Sequence, residues 1–193
     1  MGDSAYPGGI TNGRWENMYG GDGFWMFSDP ADPDYLYTEY QGGAVARVNK
    51  HTHETRDIQP KARAGEKLRF NWNTPLHLSP NEKGTLYMGS QFLFRTRDQG
   101  QTWDRISPDL TTNDPQKQRQ EETGGVTVDN SAAEMHTTIY SISESPKAAG
   151  TIWVGFIIDS LDAPDHVGAR AVAERLAGLL RDPHIRTIDA SSS

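Results

Sequence analysis

A spacing that recurs three times constrains this chain more than any other feature. Pro30, Pro80 and Pro146 are each followed seven residues later by an aromatic residue with an aliphatic one before it, giving Leu36-Tyr37, Leu86-Tyr87 and Ile152-Trp153. The first two prolines lie 50 residues apart and the second two 66. Such self-similarity means that one supersecondary unit is reused, each copy burying its apolar face against the next. A short apolar or alternating stretch precedes each proline: Phe24-Trp25-Met26-Phe27, Leu76-His77-Leu78 and Ile139-Tyr140-Ser141-Ile142. Each reads as a strand, and each aromatic residue after the proline opens onto another.

The middle unit parses as four strands over residues 72–79, 85–90, 92–95 and 102–107, joined by turn-rich residues such as Pro80-Asn81-Glu82-Lys83-Gly84. The first parses alike, over 23–28, 35–40, 44–49 and 54–58, and the third has two strands before the composition changes. A parallel sheet needs helical patterns between strands, and residues 20–107 contain none. The expected fold is therefore all-β: a partial β-propeller of four-stranded antiparallel blades, at about residues 20–60, 70–108 and 136–155, within a domain spanning 1–155.

The third turn of the middle unit reads Thr96-Arg97-Asp98-Gln99-Gly100-Gln101-Thr102-Trp103. It resembles the Asp-box of bacterial-neuraminidase-type (BNR) repeats, Ser/Thr-x-Asp-x-Gly-x-Thr-Trp, at every specified position. The residue types suit a structural turn: Asp98 accepts hydrogen bonds from its own loop, Gly100 supplies a positive φ, and Trp103 buries a large ring. With Phe70-Asn71-Trp72-Asn73-Thr74-Pro75 and Gly20-Gly21-Asp22-Gly23, the chain is similar to bacterial sortilin (VPS10)-like and xyloglucanase-like glycosyl hydrolase propeller proteins over residues 10–155. The matching turn of the first unit, Lys50-His51-Thr52-His53, has lost the box. Propellers of this kind close on four blades or more, so the resemblance implies a fragment of a longer parent, with open blade edges disposed to self-association.

After Trp153-Val154-Gly155 the pattern departs from the family, and residues 156–193 are expected to be a helical tail of unknown origin. Val167, Ala171, Val172, Leu176, Leu179 and Leu180 share one face at helical spacing, predicting an α-helix over 164–182. Two origins fit: an unrelated sequence joined near residue 156, or a native terminal helix covering the last open blade.

Composition removes several function classes. A formal charge of −7 and a sequence pI near 5.3 repel phosphate, arguing against nucleic acid as a partner. No apolar run is long enough to span a bilayer, so membrane insertion is not expected. The start, Met1-Gly2-Asp3-Ser4-Ala5-Tyr6, lacks the regions of a signal peptide, although the resemblance implies an exported parent. The chain has no Cys, which excludes thiolate metal sites and cysteine nucleophiles. His51-Thr52-His53-Glu54 falls on a hairpin turn and reads as a solvated loop, so no metal and no cofactor is expected. No serine has the strand-turn-helix setting of a nucleophile.

The first strand of each blade lines a propeller's channel, so its starting residues converge on one face. Eight positions before the prolines stand Asp22, Trp72 and Thr138; Asn73 follows Trp72, and His136 lies ten before Pro146. Asp22, Trp72, Asn73 and His136 combine an acid, a stacking platform, an amide and an imidazole, a set suited to a sugar ring or a peptide. The expected function is non-catalytic recognition of a peptide, protein or glycan at the channel mouth. The alternative is a fragment of a glycoside-hydrolase-like enzyme whose second acid lies in missing blades, with Asp22 the one catalytic candidate. The basic stretch Lys61, Arg63, Lys67 and Arg69 reads as a solvated loop, and residues 108–135 as a lid, a partner-binding loop or a mobile insertion.

Overall fold

The three prolines sit in three turns of the same construction. The residue before each, Asp29, Ser79 or Ser145, donates its N–H to the carbonyl six residues on, Tyr35 at 2.9 Å, Thr85 at 2.9 Å and Thr151 at 2.8 Å. Those three residues donate in turn to Asp32, Glu82 and Ala148 at 3.0–3.1 Å. The side-chain oxygens of Asp29, Ser79 and Ser145 each accept the N–H two residues on, from Ala31, Asn81 and Lys147. The N–H between those two positions is spare in this pattern, which is where proline, lacking one, fits.

The computed structural model describes residues 13, 15–122, 126–127 and 135–156. Among them are three antiparallel sheets. The first joins β1 (Gly23–Ser28), β2 (Tyr35–Tyr40), β3 (Ala44–Asn49) and β4 (Thr55–Asp57) in chain order. The second joins β5 (Leu76–Leu78), β6 (Leu86–Gly89), β7 (Leu93–Thr96) and β8 (Asp104–Arg105) in the same way. The third pairs β9 (Ile139–Glu144) with β10 (Ile152–Phe156).

Strand alternation sends successive side chains to opposite faces, and this orders the core. On β6, Leu86 and Met88 join Tyr37 and Val45 of the first sheet, with Ile58 and Leu76 in the same cluster and Phe27, Phe70, Leu78 and Trp103 around it. Between them on β6, Tyr87 faces the other way and meets Ile139 and Ile152 of the third sheet, with Leu93 and Leu110. Each such buried side chain contributes roughly 1.5–3 kcal/mol. On the far face of the first sheet, Leu36, Ala46 and Val48 are covered by Met18, with Tyr19 beside them.

Three strands of the first sheet run as the sequence reading places them, whereas β4, β5, β6 and β8 are shorter and β7 lies one residue later. The largest correction is at β5, because side chains capture the backbone of residues 71–75 before a ladder forms. Asn71 Oδ1 accepts the Asn73 N–H at 3.2 Å, Thr74 Oγ1 donates to the Asn71 carbonyl at 2.7 Å, and Pro75 has no N–H. Trp72 and Asn73 therefore sit in a turn rather than on a strand. The stretch after residue 107 starts as an anchored segment: Leu110 is buried and its N–H donates to the Gln91 carbonyl at 2.9 Å. Phe156 continues β10; the helix expected over 164–182 lies outside the described residues, as does the tail beyond Phe156. No helix among the described residues is long and apolar enough to cross a membrane.

Candidate functional site

The four residues singled out by repeat alignment are linked through their neighbours. Asp22, exposed ahead of β1, donates its N–H to Gln41 Oε1 at 2.7 Å. The next residue, Gly42, donates to the Trp72 carbonyl at 3.1 Å, so Asp22 and the half-buried Trp72 hang on consecutive residues of one turn. Asn73 turns its amide oxygen toward the first sheet, where the Trp25 indole donates to it at 3.1 Å. His136 is joined less directly: buried Asn71 donates to the Met135 carbonyl and to Thr138 Oγ1, both at 3.1 Å, holding the chain on either side of the imidazole.

Trp25 was not legible as a site residue, because the repeat alignment compares strand starts and Trp25 lies inside β1. Trp25 is 37% exposed, beside Phe24 at 39% and Met26 at 47%, and its indole lies nearly parallel to the Phe27 ring with centroids 6.1 Å apart. An aromatic plane that is both exposed and fixed by an amide is a stacking surface without the entropy cost of ordering a free side chain.

Arg69 departs from the solvated-loop reading. Its Nε donates to the Thr137 carbonyl at 3.2 Å, and its Nη2 reaches Asp109 Oδ2 at 2.9 Å and Thr111 Oγ1 at 3.2 Å. Its own N–H goes to Gln91 Oε1 at 2.8 Å, and Gln91 Nε2 donates to the Lys67 carbonyl at 2.9 Å, tying residues 67–69 to the turn between β6 and β7. A basic run exposes its charges unless acceptors far along the chain reach them, and that information is not local.

Thr137 stands beside His136 with a φ of 57° and a buried hydroxyl that has no hydrogen-bond partner among the described residues. A β-branched residue in the left-handed region is strained, and the corresponding residue of the first repeat is Gly21, at φ 73°. Thr137→Gly is expected to raise stability by about 1 kcal/mol, the relief of strain and of the buried hydroxyl exceeding glycine's entropy cost. Urea denaturation reads this directly; an unchanged or lower midpoint would show that the strain is not there.

The turn from Thr96 to Trp103 is organised by one carboxylate. Asp98 accepts from the Thr96 hydroxyl at 2.8 Å, the Thr102 N–H at 2.9 Å and the Thr102 hydroxyl at 2.6 Å. Burial works against its charge, but these hydrogen bonds, with one from the Gln101 N–H, outweigh it and hold the carboxyl below its ordinary range. Gly100 is at φ 82°, and a Cβ there would lie 2.5 Å from the Ile58 Cβ, so the position needs glycine on both counts. The Trp103 indole then donates to the Ile58 carbonyl at 2.6 Å, fastening the second sheet's turn to the end of the first sheet.

In the first repeat the corresponding turn uses Asn49, whose Oδ1 accepts the N–H groups of His51 and Thr52 at 2.9 Å. His51 Nε2 lies 3.2 Å from Asp34 Oδ1 on the exposed surface. Among the described residues no group of three or more His, Cys, Asp or Glu side chains is placed to hold a metal ion.

One acid stands out that the alignment did not select. Glu39 is fully buried on β2, and neither carboxylate oxygen has a hydrogen-bond partner among the described residues, although the backbone N–H groups of Trp25, Thr74 and Gly43 approach it. Burial pushes its pKa up to about 8, against the partial opposition of those N–H groups. No family model matches the chain, and no curated protein matches it.

Proposed function

We propose that this chain is a non-catalytic recognition fragment of an Asp-box β-propeller, binding a peptide, protein or glycan on the face where the first strands begin. Sheets stacked in chain order, the recurrent proline turns and the carboxylate-centred turn at Asp98 support the propeller reading. The observation that carries the function is the bridge from the Trp25 indole to Asn73, which fixes an exposed aromatic plane beside Asp22 and Trp72. Flat ligands with hydrogen-bonding edges, a sugar ring or an extended peptide, match that combination. Self-association belongs to the same reading: β1 is an edge strand exposing Phe24, Trp25 and Met26, and such an edge invites pairing by another chain.

Tryptophan fluorescence against a panel of neutral oligosaccharides and extended peptides tests this. A binder is expected to lose affinity about tenfold in Trp25→Ala and in Asn73→Ala, the size of one lost aromatic stack. Asp22→Asn should weaken binding less. Binding that survives both Trp25→Ala and Asn73→Ala would place recognition elsewhere, and glycosidase turnover abolished by Asp22→Asn would favour the enzyme reading.

A further inference from the structure

Nine residues after each repeat proline stand Glu39, Gly89 and Gly155. In the second repeat a side chain has no room at this position, and in the third it would displace a serine hydroxyl. A Cβ on Gly89 would lie 2.8 Å from Pro75 Cγ and 2.9 Å from the Ile139 Cβ of the next sheet, and one on Gly155 would meet Ser141 Oγ. Glu39 occupies the same place on β2, facing the second sheet as Tyr37 does, and carries a full carboxylic acid into the junction. The residue of the second repeat that corresponds to Ile139 is Asn73, seven before its proline, and its amide oxygen is taken by the Trp25 indole. The first junction thus accommodates a side chain that the second excludes, beside the Trp25–Asn73 bridge.

What surrounds that acid is uncharged. Trp25 from β1, Gly43 from the turn before β3 and Thr74 from the segment before β5 present backbone N–H groups, and Val45 is its cross-strand partner on β3. The second sheet contributes Leu76, Leu86 and Met88 to the same junction. Among the described residues no charged side chain acts on Glu39, and the titratable group next along its face, Tyr37, donates its hydroxyl to Asp29 at 3.0 Å. A neutral carboxyl is tolerable in such a place, whereas an anion without a cation or good hydrogen bonds is not.

We propose that Glu39 is a proton-controlled latch: with its carboxyl neutral the first two sheets close and the Trp25–Asn73 bridge forms, and on ionisation the anion draws water into the junction and the bridge opens. As a control on ligand binding this rests on the recognition proposed above; as a movement of Trp25 it does not. The three N–H groups that approach the carboxyl belong to Trp25, to the neighbour of Asn73 and to the neighbour of Gly42, which holds the Trp72 carbonyl. A shift at Glu39 is therefore transmitted to the stacking surface through directly bonded neighbours.

The test uses the full chain without ligand. The indole N–H resonance of Trp25, assigned through Trp25→Phe, is followed from pH 6 to 10 beside the side-chain carboxyl carbon of Glu39. Both are expected to move together with a midpoint near 8, and in Glu39→Gln the indole should keep its low-pH position throughout. An indole that does not move, one that titrates equally in Glu39→Gln, or a Glu39 carboxyl that titrates in the ordinary glutamate range overturns the latch. Where Glu39→Gln does not fold, the two native resonances decide: a shared midpoint near 8 supports the latch, and separate midpoints overturn it. Because no ligand enters, absence of recognition leaves this outcome untouched.

Discussion

Asp29→Ala is expected to destabilise the chain by roughly 3–5 kcal/mol, the cost of leaving a largely buried charge short of its partner. Asp29 is 1% exposed and precedes the first repeat proline. Its Oδ2 receives the Tyr37 hydroxyl at 3.0 Å and the Arg47 Nε at 3.1 Å, while its Oδ1 receives the Ala31 N–H at 2.9 Å. Removing the carboxylate strands the Tyr37 hydroxyl in the core and leaves Arg47 with the outlying Asp32 at 3.8 Å and the face of the Tyr35 ring. Asp29→Asn keeps the size and some hydrogen bonds, and should cost less. Urea denaturation of the two variants checks the ordering; equal losses would mean that the size and hydrogen bonds kept by the amide contribute nothing and that the charge carries the whole effect.

The second large effect is a pH dependence of stability with the opposite sign to that of a salt-bridged acid. The folded-state pKa of Glu39 is raised to about 8, so between the unfolded glutamate value and that pH the folded chain holds a proton that the unfolded chain has released. Its contribution is therefore most favourable below about pH 4.3, falls as the pH rises, and levels off above about 8. At about 1.4 kcal/mol for each tenfold change, the total is about 5 kcal/mol. Glu39→Gln removes this slope, and its unfolding free energy should exceed that of the parent by more at pH 9 than at pH 5. Parallel pH profiles of the two proteins would show that Glu39 titrates as an ordinary surface acid.

What could be read from the sequence was local. The proline turns were legible because each closes within six residues, and β1, β2 and β3 because alternation and a nearby turn agree. The Asp98 turn was legible because its hydrogen bonds stay within eight consecutive residues. β5 was over-extended because Asn71 and Thr74 are polar residues that a strand tolerates, and only their side-chain bonds show that they have captured the backbone. Asp22, Trp72 and Asn73 were selected because the repeat supplies their register, while the bond from Trp25 to Asn73 spans 48 residues and leaves no local trace. Arg69 was missed for the same reason, since its partners Asp109 and the Thr137 carbonyl lie 40 and 68 residues away. Nothing local sets Glu39 apart from any other acid on an alternating strand. Its burial comes from the second sheet closing over an alternating strand, and comparison with Gly89 and Gly155 was the one sequence signal that marked it.

The bond from the Trp103 indole to the Ile58 carbonyl spans 45 residues and sets a timetable for synthesis. The first sheet can pair its four strands as soon as Asp57 has left the ribosome, yet the face bearing Tyr37 and Val45 stays uncovered until residues 76–103 follow. At about 5–20 residues per second, that apolar face waits roughly 2–9 seconds for its cover. During that interval the nascent first sheet is open to chaperones and to neighbouring chains, and translation speed across residues 58–103 governs how much of it is captured.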